Sequence, residues 1–144
     1  MPFTPDDPDG PWGITLEKAL RSHANPGWQR WFCAEDEASG TIIGHVDLNH
    51  DGLRAGSHRC ELGIGVEEAY RSKGIGRRLM NTAIAYAQDK DFLDWIDLRV
   101  FGNNERAYSL YRQLGFVEVG VLRDRFRIGG VSIDDVLMVL DVSS

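Results

Sequence analysis

A glycine loop between two predicted elements carries the first indication of chemistry in this chain. Residues 71–76 read Arg-Ser-Lys-Gly-Ile-Gly and lie directly after a strand-like run and directly before an amphipathic helix. The first amides of a helix have no partner within the helix and carry about half a positive charge, so they bind phosphate well. Gly74 and Gly76 keep Cβ atoms out of that approach. The loop therefore predicts a diphosphate site, and this acidic chain, with a formal net charge of -6, concentrates basic side chains around it: Arg71, Lys73, Arg77 and Arg78.

Two familiar nucleotide sites do not fit this loop. No Lys-Ser or Lys-Thr pair follows Gly76, as a nucleotide P-loop requires, and Leu79 stands where the dinucleotide fingerprint has its third glycine. ATP and NAD are therefore disfavoured. Because glycines between a strand and a helix also serve simple turns, the loop needs a second motif before it names a ligand.

The second motif lies in residues 104–116, which read Asn-Glu-Arg-Ala-Tyr-Ser-Leu-Tyr-Arg-Gln-Leu-Gly-Phe. Together the two motifs resemble the GNAT superfamily of N-acetyltransferases, whose members share an Arg/Gln-x-x-Gly-x-Gly/Ala loop and, farther on, an Asn-x-x-Ala-x-x-Leu-Tyr-x-x-x-Gly-Phe segment. Both occur here in that order, and the resemblance runs from about Trp31 to Leu140. It implies an acetyl-CoA-dependent enzyme that moves an acetyl group directly to a primary amine. The alternative is a non-catalytic acyl-CoA-binding sensor or interaction module.

The resemblance also implies a mixed α/β (α+β) fold, in which helices flank a central, mostly antiparallel sheet. One parallel strand pair, formed here by residues 60–66 and 95–101, splays apart, and the pantetheine arm of acetyl-CoA enters the gap. Gly63 and Gly65 either leave room for a ligand along the first of these strands or mark a bulge. The residues implied to contact the cofactor are Ile64, Gly65, Val66, Arg71, Ser72, Lys73, Gly74, Ile75, Gly76, Arg77, Asn104, Ala107 and Tyr108.

Tyr111 matches the family tyrosine that protonates the departing thiolate. A phenol with a reference pKa of about 10 stays protonated at neutral pH and can donate to a thiolate whose conjugate acid has a pKa of about 8.5. The other interpretation of Tyr111 is a packed helical aromatic. Asn104 likewise matches a cofactor-contacting asparagine, although a helix N-cap would also favour asparagine at this position.

Glu61 is the predicted partner for the amine. An alkylamine of pKa about 10.4 is neutral in only about one molecule in 2,500 at pH 7, so a proton must be removed. Several family members carry a catalytic or water-positioning glutamate on the strand before the glycine loop, where Glu61 lies. Because a carboxylate of pKa about 4.3 is a poor direct base, this role requires a raised pKa or a water relay. A structural, exposed glutamate is the alternative.

Two departures from the family pattern bear on the acceptor. Members that acetylate the N-terminus of a ribosomal protein carry a glutamate twelve positions before the catalytic tyrosine, and this chain has Arg99 there. The front end also lacks the first family strand and part of the helical region that shapes the acceptor pocket, so a partner subunit in a homodimer is expected to complete it. His50 and His58 flank a polar loop near the acceptor side, as solvated or catalytic residues.

The elements that must position these residues follow from apolar periodicity and turn signals. Thr15 is predicted to cap a short helix that carries Leu16, Ala19, Leu20 and His23 on one stripe. Helices are predicted at 75–89 and 105–114, the second capped by Asn104 and ended by Gly115. Strands are predicted at 31–35, 41–48, 60–66, 95–101, 116–128 and 132–142, the last two joined at Gly129-Gly130.

Composition sets the remaining expectations. A length of 144 residues fits one domain over 13–144 with a flexible arm over 1–12. No signal peptide or membrane span is apparent, which predicts a cytoplasmic protein. A pI near 5.1 disfavours nucleic acid and suits a cationic acceptor, either a small amine or a peptide or protein amine. Cys33 and Cys60 lack metal-ligand spacing and read as buried free thiols, and no metal is implied.

Overall fold

The computed structural model describes residues 27–143 in full and the backbone alone of residues 2–3 and 12–20. In chain order, its elements are β1 (Pro2–Phe3), β2 (Trp12–Leu20), β3 (Gln29–Asp36), β4 (Ile42–Asn49), β5 (Arg59–Val66), α1 (Ile75–Gln88), β6 (Trp95–Phe101), α2 (Glu105–Gln113), β7 (Val117–Ile128) and β8 (Val131–Asp141). No helix among these residues is long and apolar enough to cross a membrane.

The strands form one sheet in the order β1-β2-β3-β4-β5-β6-β8-β7. Every neighbouring pair is antiparallel except β5 and β6, which are parallel. The predicted mixed fold is thus confirmed. Strand residues alternate between the two faces of a sheet, and on β6 the buried Ile96, Leu98 and Val100 join the same core as the α1 stripe of Leu79, Met80, Ala83 and Ala87. Both helices therefore cover one face, called the helix face below.

Each helix begins and ends on residues suited to those positions. Gly74, in a left-handed conformation with φ 82°, precedes the first turn of α1. At α2, the Asn104 side chain accepts from the amide of Ala107 at 3.2 Å, and Gly115 follows the helix with φ 103°. The predicted cap and stop of α2 are confirmed, and both helix ends agree with the sequence-based bounds within one residue.

The predicted helix at the front of the chain is wrong over residues 15–20, and His23 lies outside the described residues. Residues Trp12–Leu20 form β2, which pairs with β3 in antiparallel register from Trp12 opposite Asp36 to Leu20 opposite Gln29. A helix of this length gains little on its own, whereas β3 would otherwise leave an edge of unpaired peptide groups. The sheet edge expected to lack a strand therefore has one, which removes one of the two stated reasons for a completing partner subunit. The predicted arm, 1–12, lies mostly outside the described residues.

Candidate active site

A gap opens between β5 and β6. The two strands pair in parallel only from Arg59 opposite Trp95 to Leu62 opposite Leu98. Beyond that point β5 continues along β4 as far as Val66, and β6 continues along β8 as far as Phe101. The peptide groups of residues 63–66 that point away from β4 thus have no sheet partner on β6. The predicted splay is confirmed, and the unbroken β4–β5 register excludes the predicted alternative of a bulge at Gly63 and Gly65.

The glycine loop lies at the open end of this gap. A Cβ atom built on Gly74 or on Gly76 would meet nothing within 4 Å, so the approach to the helix start is clear. The first α1 amide with a helical partner is that of Arg78, which donates to the carbonyl of Gly74 at 3.2 Å. The amides of residues 75–77 precede that bond and are the unpartnered donors of a helix start. This geometry suits a diphosphate.

Basic side chains surround the loop, one of which the sequence analysis did not single out. Arg106, on α2, donates from Nη1 to the Ser72 hydroxyl at 2.5 Å and so brings a guanidinium to the loop. Arg71 turns back, and its Nε donates to the Val66 carbonyl at 3.1 Å. Arg77 donates to Gln113 on α2, so the loop and helix start are tied to both β5 and α2.

Tyr111 is the buried residue of α2. Its ring lies 6.1 Å from that of Phe116, centroid to centroid, and joins the core on the helix face. Burial raises the pKa of the Tyr111 phenol, which favours the protonated form that a general acid needs. Its hydroxyl makes no hydrogen bond to another described residue, and it is not among the side-chain atoms sealed from solvent without a partner. A free, protonated donor therefore projects from this helix.

Glu61 lies on the opposite face of the sheet. It is exposed on β5, between the buried Cys60 and Leu62, with Asn49 opposite it on β4 and Asp97 opposite it on β6. Arg59 holds Asp97 through bonds of 3.0 and 2.5 Å, which leaves the Glu61 carboxylate as the exposed anion where the gap begins. Glu61 and Tyr111 are thus on opposite sides of the sheet.

The structure also places His45 and Asp47, which the sequence analysis overlooked, on this second face. His45 lies opposite Gly65 and Asp47 lies opposite Gly63. Desolvation by burial raises the pKa of the Asp47 carboxyl, although a hydrogen bond from Asn49 and the nearby His45 oppose the shift. The His45 imidazole and the Asp47 carboxylate thus lie together on a partly desolvated surface beside the gap.

The other residues that the sequence analysis selected as bearing on the acceptor are His50, His58 and Arg99. His50 is buried, not solvated: its Nδ1 accepts from the amide of Gly52 at 3.1 Å, and its Nε2 lies 3.2 Å from the carbonyl of Gly56. It therefore organises its loop. His58 is exposed at the end of β5 remote from the gap. Arg99 pairs at 2.9 Å with Asp135, which is buried.

The remaining acidic residues of the β7–β8 hairpin are engaged too. Asp134 bonds to Arg123 at 3.0 Å and accepts from the amide of Asp124. Asp124 pairs with Arg127 and accepts from Ser132. Asp124 and Asp134 therefore both have partners within the hairpin. Trp28 is a core residue, whereas Trp31 stacks on His45.

Transfer through a covalent acetyl-cysteine would need an ionisable thiol, and Cys60 is the buried thiol beside the start of the gap. Burial raises its pKa to about 12, with a further contribution from the charge of Asp97. At pH 8 only about one thiol in 10,000 is then ionised, and only the thiolate is a good nucleophile. We expect Cys60 to resist iodoacetamide in the native protein at pH 8 and to react in guanidinium chloride, as read by peptide mass spectrometry. Native labelling at the rate of a free cysteine would contradict this environment.

Comparison with known proteins places the fold and these motifs in one family. The sequence profile of the Acetyltransferase (GNAT) family matches residues 2–116. The N-alpha-acetyltransferase RimI of Mycobacterium tuberculosis is 31% identical over 128 residues, which are 89% of this chain and 73% of that protein. The spermidine N(1)-acetyltransferase of Vibrio cholerae is 34% identical over 116 residues, 80% of this chain and 65% of that protein.

Solved structures agree with this relationship. An acetyltransferase of the GNAT family from Streptococcus pneumoniae is 31% identical with a TM-score of 0.72, covering 78% of this chain and 67% of that one. The spermidine/spermine N-acetyltransferase SpeG of Vibrio cholerae is 32% identical with a TM-score of 0.68, covering 79% and 65%. The splayed parallel pair and the open helix start thus occur in a chain whose sequence and fold both match acetyltransferases. The chain belongs to the GNAT family of N-acetyltransferases, whose members transfer acetyl groups from acetyl-CoA to amines.

Proposed function

We propose that this chain binds acetyl-CoA in the gap between β5 and β6 and transfers the acetyl group directly to a primary amine. The observation that carries the proposal is the alignment of two features: the strand pairing stops at Leu62 and Leu98, and the unobstructed helix start at Gly74 and Gly76 lies at the open end. A flexible arm fits the first feature and a diphosphate fits the second.

The cofactor contacts follow from this placement. The peptide groups of Ile64, Gly65 and Val66 bind the amide-bearing arm as a strand partner would. The loop residues Ser72 to Ile75, with the amides of Gly76 and Arg77, bind the diphosphate. Arg71, Lys73 and Arg106 add positive charge. Asn104, Ala107 and Tyr108 at the start of α2 line the other side of the entrance.

The two catalytic roles are divided between the two faces. From the helix face, Tyr111 donates a proton to the departing thiolate, and its burial keeps the phenol protonated. From the opposite face, Glu61 attracts the cationic acceptor and helps to remove its proton through water. The unpartnered amides along residues 63–66 stabilise the negative charge that develops on the acetyl oxygen.

The acceptor is a primary amine, carried by a small molecule or by a peptide or protein. The named activities of the relatives, which include N-terminal and spermidine acetylation, support this class. Acceptance of one amine rather than another depends on loops that vary among proteins of one fold. The proposal includes a cytoplasmic location and retains a homodimer as a testable assembly.

The direct test combines binding with turnover. Calorimetry with acetyl-CoA is expected to give a single site, and mixing the protein with acetyl-CoA and a panel of amines is expected to release free CoA with at least one of them. Mass spectrometry of the product should show one added acetyl group on the amine nitrogen. Binding without turnover on any amine would favour a sensor, and absence of binding would overturn the proposal.

A further inference from the structure

A row of polar side chains follows the gap on the face opposite the helices. It begins with Glu61 on β5 and continues with Asp47 and His45 on β4, whose partners in the β4–β5 register are Gly63 and Gly65. A Cβ atom on Gly63 would lie 2.9 Å from Oδ1 of Asp47, and one on Gly65 would lie 3.0 Å from Cε1 of His45. The two glycines thus make space for these side chains directly over the open stretch of β5.

Three contacts hold this pair in place. The His45 ring stacks on Trp31, with centroids 4.9 Å apart and planes inclined by 28°. Its Nε2 lies 3.6 Å from Oδ1 of Asp47. The other carboxylate oxygen accepts from Nδ2 of Asn49 at 2.9 Å. Nε2 therefore faces the carboxylate, which leaves Nδ1 on the side of β5: it lies 3.4 Å from where a Gly65 Cβ would stand.

We propose that His45 accepts the proton of the acceptor ammonium and that Asp47 is its positioning residue. The inference rests on the proposed function and changes one part of it: His45, rather than Glu61 acting through water, takes the proton, and Glu61 keeps the attraction of the cationic acceptor. An imidazole of reference pKa about 6.5 is better matched to neutral pH as a proton acceptor than a carboxylate of about 4.3. Glu61, at the other end of the row, draws the cationic acceptor toward the gap. His45, with a side chain 37% exposed, is accessible to the amine or to a bridging water.

The charges around His45 favour this role. On β3, Cys33 lies opposite His45, and on its own strand Asp47 is the nearest carboxylate. On β5 the ionisable residue of the row is Glu61. Across the gap, Asp97 is paired with Arg59 and Arg99 is paired with Asp135. Asp47 is therefore the carboxylate that faces the His45 ring.

Each proton in the proposed acetyl transfer has a donor and an acceptor. The ammonium gives one proton to His45, which later passes it to solvent. The neutral nitrogen forms a bond to the acetyl carbon while the carbon–sulfur bond breaks. Tyr111 protonates the sulfur, and the second proton lost by the nitrogen as the amide forms restores the phenol through water. One amide, one thiol and one released proton result from one ammonium and one thioester.

The test uses His45→Gln and Asp47→Asn, with His58→Gln as the matched control on an exposed loop histidine. With an alkylamine acceptor, His45→Gln is expected to lower kcat about 100-fold, within the usual range for loss of a general base. The KM for acetyl-CoA should change less than about threefold. With a weakly basic amine, already neutral at the assay pH, the loss should shrink to less than about tenfold, because no proton must be removed before attack.

Asp47→Asn gives an independent readout. Asp47 acts through the imidazole, so Asp47→Asn should lower kcat with the alkylamine and change it less than about threefold with the weakly basic amine, which needs no proton acceptor before attack. A merely structural Asp47 would lower kcat by the same factor with both amines. Melting curves and acetyl-CoA calorimetry on each variant establish that the fold and cofactor site persist.

Different results would overturn the proposed function, the role of His45 and the role of Asp47. If the wild type releases no CoA with any amine, the proposed function itself fails. If the wild type is active but His45→Gln keeps kcat within threefold, or loses the same factor with both amines, the assignment of His45 is overturned. An equal loss with both amines in Asp47→Asn overturns the positioning role, and this holds even if His45→Gln does not fold.

Discussion

Tyr111→Phe is expected to lower kcat at least about 100-fold while the Kd for acetyl-CoA changes less than about threefold. The phenyl ring keeps its place beside Phe116 in the core, and the substitution removes only the hydroxyl that donates to the leaving thiolate. Because that hydroxyl bonds to no other described residue, stability should change little. CoA release with a thiol reagent and calorimetry with acetyl-CoA measure the two quantities.

Tyr86→Phe is the matched control on the other helix. The Tyr86 hydroxyl accepts from Nε of Arg30 at 3.1 Å, so its removal should cost about 1 kcal/mol of stability and leave kcat unchanged. The two variants thus predict opposite patterns in turnover and melting temperature. Because burial raises the pKa of Tyr111, the wild-type acid should lose its proton only above about pH 10. A Tyr111→Phe enzyme with full activity would remove Tyr111 from the mechanism.

Gly76→Asp is expected to raise the Kd for acetyl-CoA about 100-fold, close to 2.7 kcal/mol. A side chain at Gly76 meets no protein atom within 4 Å, so the fold admits it. The carboxylate would occupy the approach to the helix start and repel a diphosphate. The same charge in the first turn of a helix is favourable to the helix. The melting temperature of the free protein should therefore hold or rise while binding is lost, as calorimetry and thermal melting can show.

Gly120→Asp separates the local effect from the change in net charge. Gly120 lies in β7, where an added Cβ also meets nothing within 4 Å, and the substitution adds the same single negative charge. Its acetyl-CoA affinity should equal that of the wild type within about twofold. An equal loss in both variants would indicate a long-range charge effect, and no loss in Gly76→Asp would place the diphosphate elsewhere.

Sequence alone was sufficient for the parts of the fold set by local rules. The apolar stripe of α1, the Asn104 cap and the Gly115 stop act within a few residues, so their bounds were predictable. The front segment was not, because Leu16, Ala19 and Leu20 fit a helical stripe. Pairing with β3 overrode that weak preference. The roles of Tyr111, Glu61 and the cofactor-binding residues remain proposals.

The His45–Asp47 pair escaped the sequence analysis for a different reason. Alternation along β4 puts His45, Asp47 and Asn49 on one face, a pattern visible in the sequence. The sequence does not show the register between β4 and β5, which are joined by the loop of residues 50–58. That register places Gly63 opposite Asp47 and Gly65 opposite His45. Glycine at alternate positions of one strand, opposite bulky polar residues on the next, is the sequence signal for such a pair.

The short seam between β5 and β6 has a mechanical consequence. Only the residues from Arg59 to Leu62 and from Trp95 to Leu98 join the part of the sheet that ends in β1 to the part that ends in β7. Each part keeps its own antiparallel ladder, through β4 on one side and β8 on the other. The backbone hydrogen bonding between the two parts is therefore confined to this four-residue ladder, and the Arg77–Gln113 and Arg106–Ser72 side-chain bonds supply further links between them at the cleft entrance.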